Sequence, residues 1–203
     1  MLNQVTNLAR NYESYLCTSD VSRAAMNSRR EDHIGWEPPM ADCLKLNVDE
    51  SVSSLVSAAS CGSLIRDYQG RVTADFMLNL GKCSIIMAEI WGLYVRIKLA
   101  FDLGVRKLMI ETDSVCAFCF VQTQTSVNGV GTPLLQAMKL LLAQSWSMQI
   151  HHIYGKRNVC ANLLAKKAQS ILMGLSCFSS HLAFLSYALI VNALGVKFLR
   201  IIG

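Results

Sequence analysis

Three acidic residues stand where a carboxylate needs a reason. Asp49 follows the run Leu44-Lys45-Leu46-Asn47-Val48, whose period of two marks a half-buried strand that Asp49 ends. Asp113 closes a second short run, Lys107 to Ile110 followed by Glu111-Thr112. Glu89 lies between them, in the stretch Ser84 to Leu103 where Ile86, Ile90, Leu93, Ile97 and Ala100 recur at helical spacing. It sits one turn before Leu93 and so points along the stripe that the helix should bury. A lone carboxylate there would be costly. An ion pair with Arg66 or Lys107 is one way to meet that cost, and a shared cation is the other. The helix between the two runs is the kind of crossover that sets strands parallel and adjacent. Asp49 and Asp113 would then stand side by side with Glu89 facing them, and three mutually repelling carboxylates call for a cation among them. Oxygen-only ligation of this kind suits Mg²⁺ or Mn²⁺.

The elements that must position these groups can be read around them. Gly62 to Asp67 and Arg71 to Leu80 flank Tyr68-Gln69-Gly70, a strand, a tight turn and an antiparallel strand. Gly104 stands where the long helix should end in a left-handed residue. Ser114 is placed to cap a helix over Val115 to Gln122, and the loop Thr125 to Gly131 leads to a helix over Pro133 to Gln144. Met148 to Tyr154 reads as the last strand, and Asn158 as the cap of a helix from Val159 to about Ile171, with Lys166 and Lys167 near its end to suit the dipole. The sum is an α/β domain with a mixed five-stranded sheet and helices on both faces.

Bulk properties bound the rest. A chain of 203 residues suits one domain with extensions. Apolar residues make up 52% and charged ones 16%, which excludes a disordered chain. Nineteen basic against 14 acidic residues admit a polyanionic partner, but no dense basic tract is present. Eight scattered cysteines, with no apolar signal in MLNQVTNLARNYESYL, favour free thiols in a reducing, intracellular setting. Cys116 and Cys119 imitate half of a zinc or redox motif, yet without a second pair they read as buried helix cysteines. Residues 1–40 read as a linker ending in Trp36-Glu37-Pro38-Pro39, residues 41–171 as the domain, and residues 172–203 as an apolar extension. From Ile171 to Val196 there are 26 residues without Asp, Glu, Lys or Arg, long enough to span a bilayer. His181, Asn192 and several serines interrupt them, so the expectation is a helix packed on, or loosely attached to, the domain and no membrane span.

Taken in order, these segments resemble the reverse-transcriptase-like ribonuclease H domains common in flowering plants, many of them retroelement-derived. The resemblance runs from Trp36-Glu37-Pro38-Pro39 through Lys45-Leu46-Asn47-Val48-Asp49, Gly62-Ser63-Leu64-Ile65-Arg66-Asp67 and Gly70-Arg71. It continues through Ala88-Glu89-Ile90-Trp91-Gly92-Leu93, Asp102-Leu103-Gly104, Glu111-Thr112-Asp113-Ser114 and His152-Ile153-Tyr154, to Asn158, Ala161 and Leu164-Ala165-Lys166. It implies a ribonuclease H-like fold and endonucleolytic hydrolysis of the RNA strand of an RNA-DNA hybrid by two metal ions, in the nucleus or cytoplasm and with no obligate protein partner. Asp49 would bridge both ions while Glu89 and Asp113 complete one. The hybrid would be selected by shape and by its 2′-hydroxyls. Three departures qualify the picture. Asn162 stands where the family has a fourth Asp, and a neutral amide supplies no charge to the second ion. Glu50, before Ser51-Val52-Ser53-Ser54-Leu55, replaces a usual glycine. Loop 125–131 contains no histidine, and His151 and His152 read as sheet residues. The alternative expectation is therefore a catalytically inactive relative that at most binds nucleic acid.

Overall fold

The computed structural model describes residues 30–53, 58–83, 85–123 and 132–202. Ser84 and the loop Thr125 to Gly131, both used in the sequence reading, lie outside them, as do Ser54 and Leu55. Five strands, β2 (Leu44–Ser53), β3 (Ala58–Arg66), β4 (Val72–Lys82), β5 (Lys107–Thr112) and β6 (Ser147–His152), build one mixed sheet. A sixth, β7 (Gly174–Phe178), joins it from the C-terminal extension, giving the order β6-β5-β2-β3-β4-β7. The β5 strand runs parallel to β2 and β6, and the remaining neighbours are antiparallel.

Helices cover both faces. On one side lie α1 (Ile85–Asp102), α2 (Val115–Thr123) and α3 (Thr132–Leu142), with Leu46, Val48, Ile65, Leu93, Ile97 and Ile110 among the buried residues of that core. On the other side α4 (Val159–Ala168) packs Cys160, Ala161 and Leu164 against Leu64 and Met77. The approach of α4 to the sheet is close: a Cβ on Gly62 would lie 2.0 Å from the backbone nitrogen of Ala165 and 2.5 Å from the carbonyl oxygen of Ala161.

The helix expected to run to about Ile171 ends at Ala168, followed by turn residues. The apolar extension forms more than a helix. Besides β7 it supplies α5 (Ser186–Ala193), which buries Ala188 beside Leu185 in the α4-side core. It then supplies β8 (Phe198–Ile202), which pairs antiparallel with β1 (Arg30–Ile34) from the segment read as linker. The two ends of the described chain thus meet, because each offers an unpaired strand the hydrogen bonds it lacks. Among the described residues no helix is long and apolar enough to cross a membrane.

The alternation in β2 has a different outcome from the half-solvated strand it suggests. Lys45, Asn47 and Asp49, on the α4 side, are as buried as Leu46 and Val48. Parallel sheets are covered on both faces, so the polar side of β2 had to find partners inside the protein. Lys45 Nζ donates to Glu111 Oε1 at 2.6 Å, and Asn47 Nδ2 donates to Glu111 Oε2 at 2.9 Å. Asn47 Oδ1 accepts from Arg66 Nη2 at 2.6 Å and from Trp36 Nε1 at 3.0 Å. Trp36 is therefore a core residue and not part of a linker.

Candidate functional site

The parallel ladder of β2 with β5 ends with Val48 opposite Thr112, so Asp49 and Asp113 stand side by side just past it. The β5 strand stops there, but β2 runs on to Ser53 paired with β3, so Asp49 lies within its strand and does not end it as the alternation suggests. Asp49 is buried. Its Oδ1 accepts the Glu50 backbone N–H at 2.8 Å, while its Oδ2 lies out of solvent without a hydrogen-bond partner. Burial, and next the negative charge of Asp113, push the Asp49 carboxyl up to about 7, against the pull of the Asn162 side chain. The amide of Asn162, in the first turn of α4, is thus close enough to act on Asp49.

Asp113 is held from α4's start. Asn158 Nδ2 donates to Asp113 Oδ1 at 3.1 Å and to the Val48 carbonyl at 2.6 Å. This corrects the expectation that Asn158 caps the helix, for its side chain makes no cap hydrogen bond. The geometric reason is that its φ of −104° and ψ of 19° lie outside the extended backbone of an ordinary N-cap, which leaves the amide to bridge Val48 of β2 and Asp113 just past β5. Ser114 does cap, accepting the Ala117 N–H at 3.0 Å. On the far side of Asp113, His152 Nε2 lies 3.2 Å from its backbone carbonyl oxygen.

Glu89 reaches the same region from α1. Its Oε2 is shielded from solvent, and its charge is among those that raise Glu50. The cations named as its alternative partners are engaged elsewhere: Arg66 with Asn47, and Lys107 with Asp42. Glu50 follows Leu46 and Val48 onto the α1 face. Burial takes its carboxyl up to about 7, with Arg96 pulling it down and Glu89 adding to the rise. Arg96 Nη1 donates to Glu50 Oε1 at 2.7 Å, and Arg96 Nη2 donates to the Asp49 carbonyl at 2.7 Å. The sequence reading missed Arg96. Its signal was present, since an arginine next to Ile97 on the buried stripe of α1 needs an acid, and Glu50 was the acid out of place.

Asp49, Asp113 and Asn162 are thus brought together, with Glu89 on the α1 side near enough for its charge to act on Glu50. Among the described residues no group of three His, Cys, Asp or Glu side chains is close enough as placed to hold a metal ion. The donor set still fits a hard cation in kind: it is all oxygen, and Asp49 Oδ2 is a buried acceptor that makes no close hydrogen bond, the neutral Asn162 amide being the side chain that draws on this carboxyl. Cys119 is buried in α2, and the Cys116 side chain lies outside the described residues.

A mixed sheet with a crossover helix and a later helix, α4, converging on aspartates of two adjacent parallel strands is the ribonuclease H arrangement. The sequence model of the reverse transcriptase-like family matches residues 47–168, and the chain belongs to that family. It is 32% identical over 150 residues to an Arabidopsis thaliana protein called "Putative ribonuclease H protein", a match that takes in 74% of this chain and 24% of that relative. The chain therefore spans about a quarter of the relative's length. Among solved structures, ribonuclease H1 of the halophilic archaeon Halobacterium salinarum NRC-1 superposes with a TM-score of 0.56 at 19% identity, covering 63% of this chain and 98% of its own. The compost-derived LC11 ribonuclease H1, solved in complex with an RNA/DNA hybrid, gives 0.55 at 16% identity, covering 63% and 96%. These likenesses establish the fold.

Proposed function

We propose that the domain binds RNA-DNA hybrids and hydrolyses the RNA strand, using divalent metal, Mg²⁺ or Mn²⁺, held by Asp49, Glu89 and Asp113, with Asn162 at the edge of the site. The observation that carries this reading is the buried Asp49 carboxylate, set beside Asp113 with one oxygen that makes no close hydrogen bond and only a neutral amide, Asn162, as the side chain drawing on it. Membership of the reverse transcriptase-like family supports it, as does the presence of a hybrid in the LC11 ribonuclease H1 complex. Bound divalent ions would supply the charge that activates the attacking water and stabilises the leaving oxygen. The chain's own residues do the rest. Asp49 and Asp113 contribute negative oxygens, Asn158 fixes the Asp113 carboxylate against the Val48 carbonyl, and Asn162 offers a neutral amide where a charge would bind more strongly. Such a substrate places the protein inside the cell, in nucleus or cytoplasm.

One observation favours a second reading, in which the domain retains nucleic-acid binding without cleavage: the carboxylates as placed form no ready three-ligand group among the described residues. The two readings separate on a labelled RNA-DNA hybrid, assayed with Mg²⁺ and with Mn²⁺. The nuclease reading expects slow cleavage, faster with Mn²⁺. It expects a gain in Asn162→Asp of about 10² to 10³, the usual worth of one electrostatic group acting in the transition state, and no cleavage by Asp49→Asn. A folded Asn162→Asp protein that binds hybrid and cuts nothing would leave the binding reading in its place.

A further inference from the structure

Arg96 lies on α1 seven residues beyond Glu89, two helical turns along the same face, and is 2% exposed. Its two terminal nitrogens go to consecutive residues of β2, one to the Glu50 carboxylate and one to the Asp49 carbonyl, each at 2.7 Å. A planar fork suits this double grip, whereas an ammonium is a point charge that holds no such fixed geometry. The helix comes close to β3 beside this grip, at Gly92. A Cβ there would stand 2.6 Å from Cys61 Sγ and in ordinary contact, 3.5 Å, with Arg96 Cζ, so the glycine admits Cys61 while Arg96 and Glu50 pack alongside.

Stability alone gives a weak account of this pair, because a buried ion pair commonly gains little over apolar packing of the same volume. Its geometric effect is more specific. The helix that carries Glu89 is tied to the stretch of β2 that carries Asp49, through side-chain and main-chain bonds made by one guanidinium. We infer that Arg96 is a positioning residue, which through Glu50 and the Asp49 carbonyl sets the spacing of the Asp49 and Glu89 carboxylates. Its consequence for metal rests on the function proposed above; the tie itself does not.

Arg96→Gln alone would strand the buried Glu50 charge and could fail to fold, so the deciding variant is the double Glu50→Gln, Arg96→Gln, with Arg96→Lys beside it. Amide hydrogen exchange and Mn²⁺ titration are read on both, on the unaltered protein and on Asp49→Asn. Hydrogen bonds to a charged group are worth about 1.5 to 3 kcal/mol, so the double variant should exchange the Glu50 to Ser53 amides about tenfold faster or more, with Leu46 and Leu64 unchanged. Its Mn²⁺ dissociation constant should rise about tenfold on the same ground, and Arg96→Lys should restore part of both effects. Unchanged exchange over Glu50 to Ser53, or an equal rise across the whole sheet, overturns the positioning role. The metal reading fails separately, if the unaltered protein and Asp49→Asn titrate alike, and the exchange result still decides on Arg96.

Discussion

The guanidinium of Arg66 lies over the ring of Trp36, 3.6 Å from its centre, while both side chains hydrogen-bond the same oxygen of Asn47. Arg66 is 1% exposed and Trp36 6%, so this stacked pair belongs to the interior. It also fastens the segment before β2 onto the sheet, helped by Lys45 Nζ, which donates to the Glu37 carbonyl at 2.6 Å.

Trp36→Ala should therefore act as a core deletion. Removing a buried large aromatic typically costs about 3 to 5 kcal/mol, and here it also uncovers the Arg66 cation and takes one donor from Asn47. Urea unfolding should show a loss of that size with an unchanged slope. A loss within the error of the extrapolation would return Trp36 to the linker.

Gly62 faces Asp49 across the β2–β3 ladder and lies under α4. Gly62→Ala must push that helix outward, since backbone atoms stand at 2.0 to 2.5 Å from the new carbon. Overpacking of this kind costs about 1 to 3 kcal/mol or more, and the displacement carries Asn162 away from Asp49. The expected readings are a lower thermal midpoint together with changed amide shifts at Asp49. Full stability with the helix in place would contradict the packing described above.

Asn158 bridges Val48 and Asp113 from the start of α4. Asn158→Ala leaves a buried carbonyl without its donor, for about 1 to 3 kcal/mol, and frees the Asp113 carboxylate to rotate. Divalent-ion affinity and any hybrid cleavage should fall with it. Asn158→Ser, if it spares stability and still lowers metal affinity, would separate the two roles, whereas metal binding identical to the unaltered protein in both variants would deny Asn158 a part in the site.

The pH dependence of stability should carry a signature from Asp75 in β4. This residue is fully buried, its Oδ2 accepts the Leu182 N–H at 3.3 Å, and its Oδ1 has no partner. Burial raises its carboxyl to about 6, against the smaller pulls of the Leu182 N–H, His181 and Arg66. Because the folded value lies above the ordinary aspartate value of 3.8, the protonated form favours the fold. That contribution is complete below the unfolded value and is lost as pH rises through about 6. Asp75→Asn should flatten the urea midpoint between pH 4 and pH 7 and raise stability at neutral pH by about 1 to 3 kcal/mol. A steeper fall toward neutral pH in the variant would reverse the assigned sign.

The sequence alone determined the frame of this protein. Alternation in β2, the hairpin around Gly70, the helical stripe from Ile86 to Ala100 and the acids Asp49 and Asp113 that follow two apolar runs are local patterns, and each follows from a period or a turn that neighbouring residues suffice to set. From them came the mixed sheet, the parallel pairing of β2 with β5 and the family resemblance, all of which the fold and the family match bear out. What only tertiary structure decided was the pairing of groups distant in the chain. Trp36 read as linker because its partners, Asn47 and Arg66, come from two strands further on. Asn158 read as a cap because its real acceptors, Val48 and Asp113, lie 110 and 45 residues away. Glu50 read only as a departure from the family's usual glycine because its counter-ion, Arg96, sits 46 residues on, on α1. The extension's β7 and β8 were hidden for the same reason: a strand's hydrogen bonds belong to its neighbour, and the neighbours that call these segments into sheet, β4 and β1, are set only when the chain folds back on itself.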